Sequence, residues 1–244
     1  MITDTMEKQV TTLRCYLGQL QTCNYLPGEI SRVSYLDPDL DISTERYSAL
    51  TRLGFRRSGK YVYRPCCPAC QACQALRIPV RSFAPTRSQR RNWLRNRDVT
   101  VRHMPATFTE EHFRLYRCYQ QERHPDSSMA SSSRDEYMEF LACPGVTTEF
   151  IEFRCQGQLL AVSVIDQLDD GLSAVYTFFD PAQAGRGPGV FAVLWQISEA
   201  CRRGLDWLYL GYRIRNCRKM SYKDNFRPCQ ILVDGNWQVL HPDK

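Results

Sequence analysis

No run of apolar residues in this 244-residue chain approaches the ~20 needed to cross a bilayer as a helix, so no membrane span is expected. The first residues, Met1 to Gln9, are polar and include Asp4 and Glu7. They lack the basic-then-apolar build of a secretory signal, and a cytoplasmic location is therefore expected. In that reducing setting the 12 cysteines read as thiols, metal ligands or small buried hydrophobes rather than disulfides. Internal repeats and low-complexity linkers are missing as well, which excludes a solenoid or a tethered array. Over one stretch negative charge is nearly missing too. From Arg52 to Arg102 the many Arg and Lys side chains meet a single acid, Asp98. A second cluster, Arg202, Arg203, Arg213, Arg215, Arg218, Lys219, Lys223 and Arg227, faces only Asp206 and Asp224. The net charge is a modest +6, so it is this concentration that points to a polyanionic partner.

What is present is ordinary for a soluble globular protein: 43% hydrophobic and 24% charged residues, enough chain for one large domain or two small ones. Helical spacing runs from Ser43 to Leu53, with Thr44 as N-cap and Gly54 as stop. A hairpin turning at Ser58-Gly59 leads into Arg64-Pro65-Cys66-Cys67-Pro68-Ala69-Cys70-Gln71-Ala72-Cys73. The two overlapping Cys-x-x-Cys spacings, with Cys23 upstream, leave two alternatives. Cys23, Cys67, Cys70 and Cys73 form a structural zinc or iron–sulfur centre, or they are reduced structural thiols, since a clean second pair is missing. The basic segment from Ser88 to Arg97 reads as a helix laid on this first region.

Beyond it the expected order is a strand at Val99–Val101, helices at Thr109–Arg123 and Arg134–Cys143, and strands at Glu149–Cys155, Gln158–Leu168 and Leu172–Phe179. Then come the loop Gly185-Arg186-Gly187-Pro188-Gly189, a helix over 189–203, a strand over 206–212, a short helix near Cys217–Asn225 and a hairpin turning at Asp234-Gly235-Asn236. A glycine loop feeding a helix N-terminus presents backbone N–H groups and the positive dipole end, which suits phosphate. The string Arg186-x-x-Gly189-x-Phe191 resembles the acyl-CoA loop of GNAT acyltransferases, with Phe191 in place of the final small residue. The element order is that of the same fold. The expected class is α/β (α+β): a GNAT-like acyltransferase domain over 86–244 with a smaller cysteine-containing N-terminal domain over 1–85.

Longer strings carry a closer resemblance: Gly54-Phe55-Arg56-Arg57-Ser58-Gly59, Tyr63-Arg64-Pro65, Leu76-Arg77-Ile78-Pro79-Val80 and Ser88-Gln89-Arg90-Arg91. Arg123-His124, Asp166, Gly171 to Pro181, Leu210-Gly211-Tyr212 and Met220-Ser221-Tyr222-Lys223 add to it. Together these resemble the bacterial aspartate/glutamate leucyltransferases, relatives of the eukaryotic arginyl-tRNA–protein transferases, over nearly the whole chain. The resemblance implies transfer of leucine from leucyl-tRNA to proteins beginning with Asp or Glu, which marks them for degradation in the bacterial N-end rule pathway. Its implied partners are tRNA and protein, with no membrane or DNA, and no cofactor is required for the chemistry. The chain departs from the family pattern in its extra glycines around Arg186, in Cys66 where histidine is commoner, and in Leu26 where the eukaryotic relatives carry a second cysteine.

In this layout Tyr176, Tyr212 and Asp166 are the candidates for handling protons or holding the amine. Arg186, Gly187 and Gly189 would take the terminal phosphate or ribose of tRNA, with Lys223, Arg90 and Arg91 as further tRNA or aminoacyl contacts. An acidic acceptor side chain calls for a fixed guanidinium, whose planar fork matches a carboxylate. Arg77 is the first candidate for that role, with Arg56 and Arg57 behind it. Two readings of other classes stand beside this one: an acetyltransferase using acetyl-CoA, and a non-enzymatic metal-ribbon protein that binds tRNA.

Overall fold

Sequence punctuation sets most element ends. Thr109 caps a helix that opens on Glu110 and Glu111, where its dipole favours acids. Thr86 with Gln89, and Ser133 with Glu136, close reciprocal capping boxes. The cap of the first helix is Ser43, one residue before the expected Thr44.

The computed structural model describes residues 13–125 and 127–241. The chain begins with β1 (Cys15–Leu17), β2 (Gln21–Thr22), β3 (Ile30–Ser31) and β4 (Val33–Leu36), then α1 (Thr44–Arg52) and the hairpin β5 (Arg56–Ser58) and β6 (Tyr61–Pro65). After the cysteines come β7 (Gln74–Pro79), α2 (Arg87–Arg95), β8 (Val99–Pro105), α3 (Glu110–Arg123) and α4 (Arg134–Leu141). A meander of β9 (Thr148–Cys155), β10 (Gln158–Gln167) and β11 (Gly171–Phe179) leads to α5 (Pro188–Arg202) and β12 (Trp207–Arg213). The short α6 (Arg218–Ser221) and the hairpin β13 (Gln230–Val233) and β14 (Asn236–Val239) follow.

An eight-stranded sheet in the order β14-β13-β7-β12-β11-β10-β9-β8 carries the structure. Its one parallel pairing, β11 with β12, needs a crossover, and α5 supplies it. On one face Phe191, Leu194 and Ile197 of α5 pack on Ile151, Phe153, Leu172 and Leu208. On the other, Phe113 and Tyr116 of α3 and Tyr137 and Leu141 of α4 pack on Phe150, Val162, Val164 and Phe178. The mixed α/β class and the element order from β8 onward are those expected.

A four-stranded sheet, β1-β4-β6-β5, forms the smaller N-terminal unit with α1. Tyr47, Leu50, Phe55 and Val62 of this unit share a core with Leu168 and Tyr209 of the large sheet. The expected division at residue 85 does not follow a sheet boundary, because β7 lies inside the large sheet between β12 and β13. Its Leu76 and Ile78 are buried in the core built on α5, which explains why this strand leaves the N-terminal unit.

Two further elements differ from expectation. The basic helix α2 lies on α5 rather than on the first region, with Trp93 and Phe191 ring centroids 5.3 Å apart. The glycine loop is short: a 3₁₀ turn spans Pro181–Arg186, and Gly187 alone separates it from α5. Gly187 takes a left-handed conformation (φ 66°), and a Cβ there would sit 2.5 Å from the Asn92 amide nitrogen. Only glycine meets both demands.

Candidate active site

The parallel strands β11 and β12 stay in register only from Gly171–Trp207 to Ser173–Tyr209. On its other edge β12 shifts register against β7 between Tyr209 and Gly211, and Gly211 adopts φ 79°. A glycine inside a strand marks this kind of bulge or close approach. Two cations serve the strands where they part. Arg56 donates to the Ser173 hydroxyl at 2.9 Å and to the Ala174 carbonyl on β11. Lys223 donates to the Tyr212 carbonyl on β12 at 2.7 Å. Both side chains flank Gly211, whose Cβ, were there one, would lie 3.4 Å from the Lys223 ammonium and 3.6 Å from Arg56 Nε.

Arg56 and Lys223 are both buried, and neither makes an ion pair among the described residues. Burial, reinforced by the Arg56 charge, holds the Lys223 ammonium down to about 7. Two buried cations without a counter-ion form a site that an incoming carboxylate would complete.

Arg57 is the next residue on β5, and successive strand residues point to opposite sides. Its guanidinium meets Asp166 in a two-pronged pair at 2.7 and 2.6 Å, with both side chains fully buried. The same guanidinium donates to the Leu141 carbonyl at 2.9 Å and to Thr148 at 3.1 Å, and Thr148 in turn donates to Asp166 at 2.7 Å. Arg57 and Asp166 thus satisfy each other within the fold. The pair ties β5 to β10 and α4.

Arg77 also has its partners within the fold. Its guanidinium lies between the rings of Trp207 and Trp237, 3.6 and 4.3 Å from their centroids, and donates to Gln230 at 2.9 Å. Stacked cation–π contacts of this kind hold an arginine in place. The first sequence candidate for acceptor recognition is thus already engaged by two tryptophan rings and Gln230.

The two candidate tyrosines sit apart. Tyr176 lies in an aromatic cluster against α3, ringed by Tyr116, Tyr119 and Phe140, and its hydroxyl accepts from Gln120 at 2.8 Å. Tyr212 turns toward the N-terminal unit, donating to the Gly54 carbonyl at 2.8 Å beside the Tyr63 ring. Burial raises both hydroxyls, so they stay protonated at neutral pH and act as hydrogen-bonding groups rather than bases.

Arg186 pairs with Asp98, and Asn92 and Asn96 of α2 bind the Arg186 carbonyl at 3.0 Å each. Asn92 also donates to the Gly187 carbonyl at 3.1 Å. This locks the turn before α5 beneath α2, and a Cβ at Gly189 would lie 3.8 Å from the Phe179 ring. Arg90 and Arg91 are exposed on α2, and Arg95 of the same helix donates to the Gly185 carbonyl at 2.6 Å. The basic run therefore surrounds the α5 N-terminus, an arrangement fit for a phosphate chain.

Cys23, Cys66, Cys67, Cys70 and Cys73 line one cavity of about 890 Å³, which Tyr25, Tyr63 and Tyr212 also border. Cys23 accepts from the backbone N–H groups of Tyr25 and Leu26 at 3.4 Å, as a turn cap does. Burial, with the neighbouring sulfurs of Cys67, Cys23 and Cys70, pushes the Cys73 thiol up to about 11 and keeps it neutral. Among the described residues no three His, Cys, Asp or Glu side chains are grouped to hold a metal ion. Cys23, Cys67, Cys70 and Cys73 thus share one cavity wall without three of them being grouped as ligands.

Residue-by-residue reading missed the pairing of Arg56 with Lys223. The available signal was Gly211 in the middle of a strand, next to a tyrosine and followed by a basic run.

The family model described as arginine-tRNA-protein transferase, N terminus, matches residues 21–91, and its C-terminal counterpart matches residues 111–233. An aspartate/glutamate leucyltransferase of Hahella chejuensis is 49% identical over 94% of this chain and 98% of its own. Relatives of the same name from Pseudomonas fluorescens SBW25 and Chromobacterium violaceum are each 46% identical, over 96% and 95% of this chain and 99% and 96% of theirs. Among solved structures, L-PGS from Bacillus licheniformis aligns with a TM-score of 0.47 at 11% identity, over 59% of this chain and 48% of its own.

Proposed function

The chain belongs to the arginine-tRNA-protein transferase family, enzymes that transfer the aminoacyl group of an aminoacyl-tRNA to a protein acceptor, and from that premise we propose that it moves leucine from leucyl-tRNA to N-terminal Asp or Glu. The observation that carries the acceptor half is the Arg56–Lys223 pair, two buried cations lacking an anion. A carboxylate entering there gains a guanidinium fork and an ammonium at once. Asn and Gln, nearly isosteric, would bring an NH₂ against groups that only donate, leaving buried donors facing each other. Charge and hydrogen-bond polarity together select the acid.

The reaction is aminolysis of an activated ester. The acceptor nitrogen attacks the leucyl carbonyl, the C–N bond forms, and the C–O bond to ribose breaks. The amine gives up a proton and the ribose oxygen gains one. An N-terminal amine has a pKa near ~8, so a useful fraction is already neutral at pH 7. The ribose hydroxyl next to the leaving oxygen can relay the proton. Positioning then supplies most of the rate. Arg56 and Lys223 fix the acceptor beside the opening between β11 and β12. Tyr176, kept protonated by burial, has its hydroxyl hydrogen free to donate near the reacting groups, while Tyr212, whose proton goes to the Gly54 carbonyl, holds the end of β12 in place. Arg186, Gly187 and Gly189 receive the tRNA 3′ end, and Arg90 and Arg91 hold backbone phosphates. No cofactor takes part, and the cysteine cavity serves structure. No helix among the described residues is long and apolar enough to cross a membrane. The product, a protein beginning with leucine, is a degradation signal.

Labelled leucyl-tRNA and arginyl-tRNA offered to peptides beginning with Asp, Glu, Ala and Lys test the reading. Transfer of leucine to the Asp and Glu peptides alone is expected. Transfer of arginine instead, or acetylation from acetyl-CoA without use of leucyl-tRNA, would overturn it.

A further inference from the structure

The N-terminal sheet carries a row of tyrosines on one face. Tyr16 of β1 is the direct cross-strand partner of Tyr35 on β4, and Tyr35 is the partner of Tyr63 on β6. Tyr61, two residues before Tyr63, points to the same side. Ring centroids lie 6.5 Å apart for Tyr35–Tyr61, 6.2 Å for Tyr35–Tyr63 and 6.3 Å for Tyr63–Tyr212. The row thus runs from the edge of the small sheet to the residue whose carbonyl Lys223 binds. Tyr16, Tyr35 and Tyr61 are 53%, 37% and 50% exposed, an unusual share for aromatic rings aligned on one sheet face.

Two hollows meet on this row. The inner one is the cavity of about 890 Å³, which Tyr35, Tyr61, Tyr63 and Tyr212 all border. The outer one, about 440 Å³, is walled by Tyr16, Tyr35, Tyr61 and Leu36, with Asp37 and Asp39 at its rim. Neither aspartate makes an ion pair among the described residues. The rim charge decides what the row can hold. Lys60 lies over the Tyr61 ring, 5.5 Å from its centroid, but among the described residues the outer hollow itself is lined by Asp37 and Asp39 and by no cation, so a phosphate chain seated there is disfavoured. An extended polypeptide is not, and a basic or aromatic side chain would gain from both rings and carboxylates.

We propose that the tyrosine row is the track for the acceptor polypeptide downstream of its N-terminal acid, and that the outer hollow takes a basic or aromatic side chain. The proposal rests on the acceptor reading above. Strands lie ~4.8 Å apart, so the two strand steps from Tyr63 to Tyr16 cover ~10 Å, or about three extended residues. Adding the step from Tyr212 places the outer hollow at about the third to fifth acceptor residue.

The test compares Asp-Ala amide with hexapeptides that begin Asp-Ala and continue with Ala, with Lys and Phe, or with Glu. Leucine transfer is measured with the full chain and saturating leucyl-tRNA. For the natural enzyme the Lys/Phe hexapeptide is expected to show a KM about tenfold below that of the dipeptide, as one good side-chain anchor gives. Tyr35→Ala with Tyr61→Ala should erase that advantage and leave the constants for Asp-Ala amide unchanged, which also shows that the variant folds. Asp37→Asn with Asp39→Asn should remove the preference for Lys/Phe over Glu while the length effect of Ala peptides persists. A natural-enzyme KM independent of peptide length and sequence would overturn the proposal while leaving the acceptor reading intact. So would equal losses for dipeptide and hexapeptide in the tyrosine variant. Weakened leucyl-tRNA binding with peptide discrimination intact would assign the row to RNA. No transfer to any acid-initiated acceptor would overturn both readings together.

Discussion

Arg57 and Asp166 join strands from the two units of the fold through a two-pronged ion pair from which water is excluded on both sides. A pair of this kind is sensitive to loss of one partner, because the survivor is left as an uncompensated buried charge. Asp166→Asn is therefore expected to cost about 3–5 kcal/mol of unfolding free energy, read from denaturant titration. Arg57→Met with Asp166→Leu should recover much of that loss. Leucine transfer by the double variant, assayed well below its unfolding midpoint, should stay near the natural level. An inactive but stable double variant would return Asp166 to the chemistry.

The basic face of α2 should act through phosphates. Arg87, Arg90 and Arg91 are exposed on the helix that covers the α5 N-terminus. Replacing all three with Ala should weaken leucyl-tRNA binding. It should also flatten the plot of log affinity against log salt by about 0.7–0.9 for each phosphate contact removed. Binding measured at four or five salt concentrations checks this, and an unchanged slope would mean a merely solvated surface. Acceptor KM should not move.

The thiols should prove dispensable as ligands. Elemental analysis of enzyme purified without added metal is expected to find less than stoichiometric zinc and iron, and activity should survive a strong chelator. Bound metal in equimolar amount, lost together with activity, would contradict the cavity reading of Cys23, Cys67, Cys70 and Cys73.

Lys223 couples stability to function through pH. Unfolded, it keeps its proton to the ordinary value of 10.5; folded, it holds it only to about 7. Between those values the unfolded chain binds more protons, so this residue's contribution to stability rises with pH across that window and is lowest below pH 7. Lys223→Met should therefore raise the melting temperature most at pH 6 and least above pH 10. The same change should raise KM for Asp-initiated peptides sharply, in keeping with the ~2–5 kcal/mol lost when one partner of a buried charge pair is truncated. In the natural enzyme acceptor KM should climb as pH rises above 7, where the ammonium discharges. A KM flat from pH 6 to 9 would remove Lys223 from acceptor binding.

Much of the fold is legible in the sequence. The alternation and caps from Val99 onward mark nearly every later element, because amphipathic period and capping chemistry are local. The arginines were not legible in the same way. Arg56 and Arg57 are identical neighbours on a three-residue strand, and alternation says only that they diverge, not which one meets Asp166. Arg77 follows the cysteines in sequence, yet its strand pairs with β12 and β13 from far along the chain, where Trp207 and Trp237 enclose it. Long-range pairing of this kind leaves no local trace. The cysteine spacing leaves metal centre and reduced thiols both open, because spacing alone cannot say whether sulfurs converge or spread around a cavity.

Gly211 gives the sharpest test of the site as a unit. Its φ of 79° is open to glycine and costs other residues about 1–2 kcal/mol. A methyl group there would also press between the Lys223 ammonium and Arg56, at 3.4 and 3.6 Å, in the space where the acceptor carboxylate is proposed to bind. Gly211→Ala should thus lower stability modestly and weaken acceptor binding more than that loss explains. The measurement is a KM and kcat split for Asp peptides beside a melting curve, with leucyl-tRNA affinity as control. An acceptor KM that rises severalfold while leucyl-tRNA affinity holds would locate the acid between Arg56 and Lys223. If both affinities fall in proportion to stability, the bulge supports the fold alone, and the acceptor carboxylate must bind elsewhere along the opening between β11 and β12.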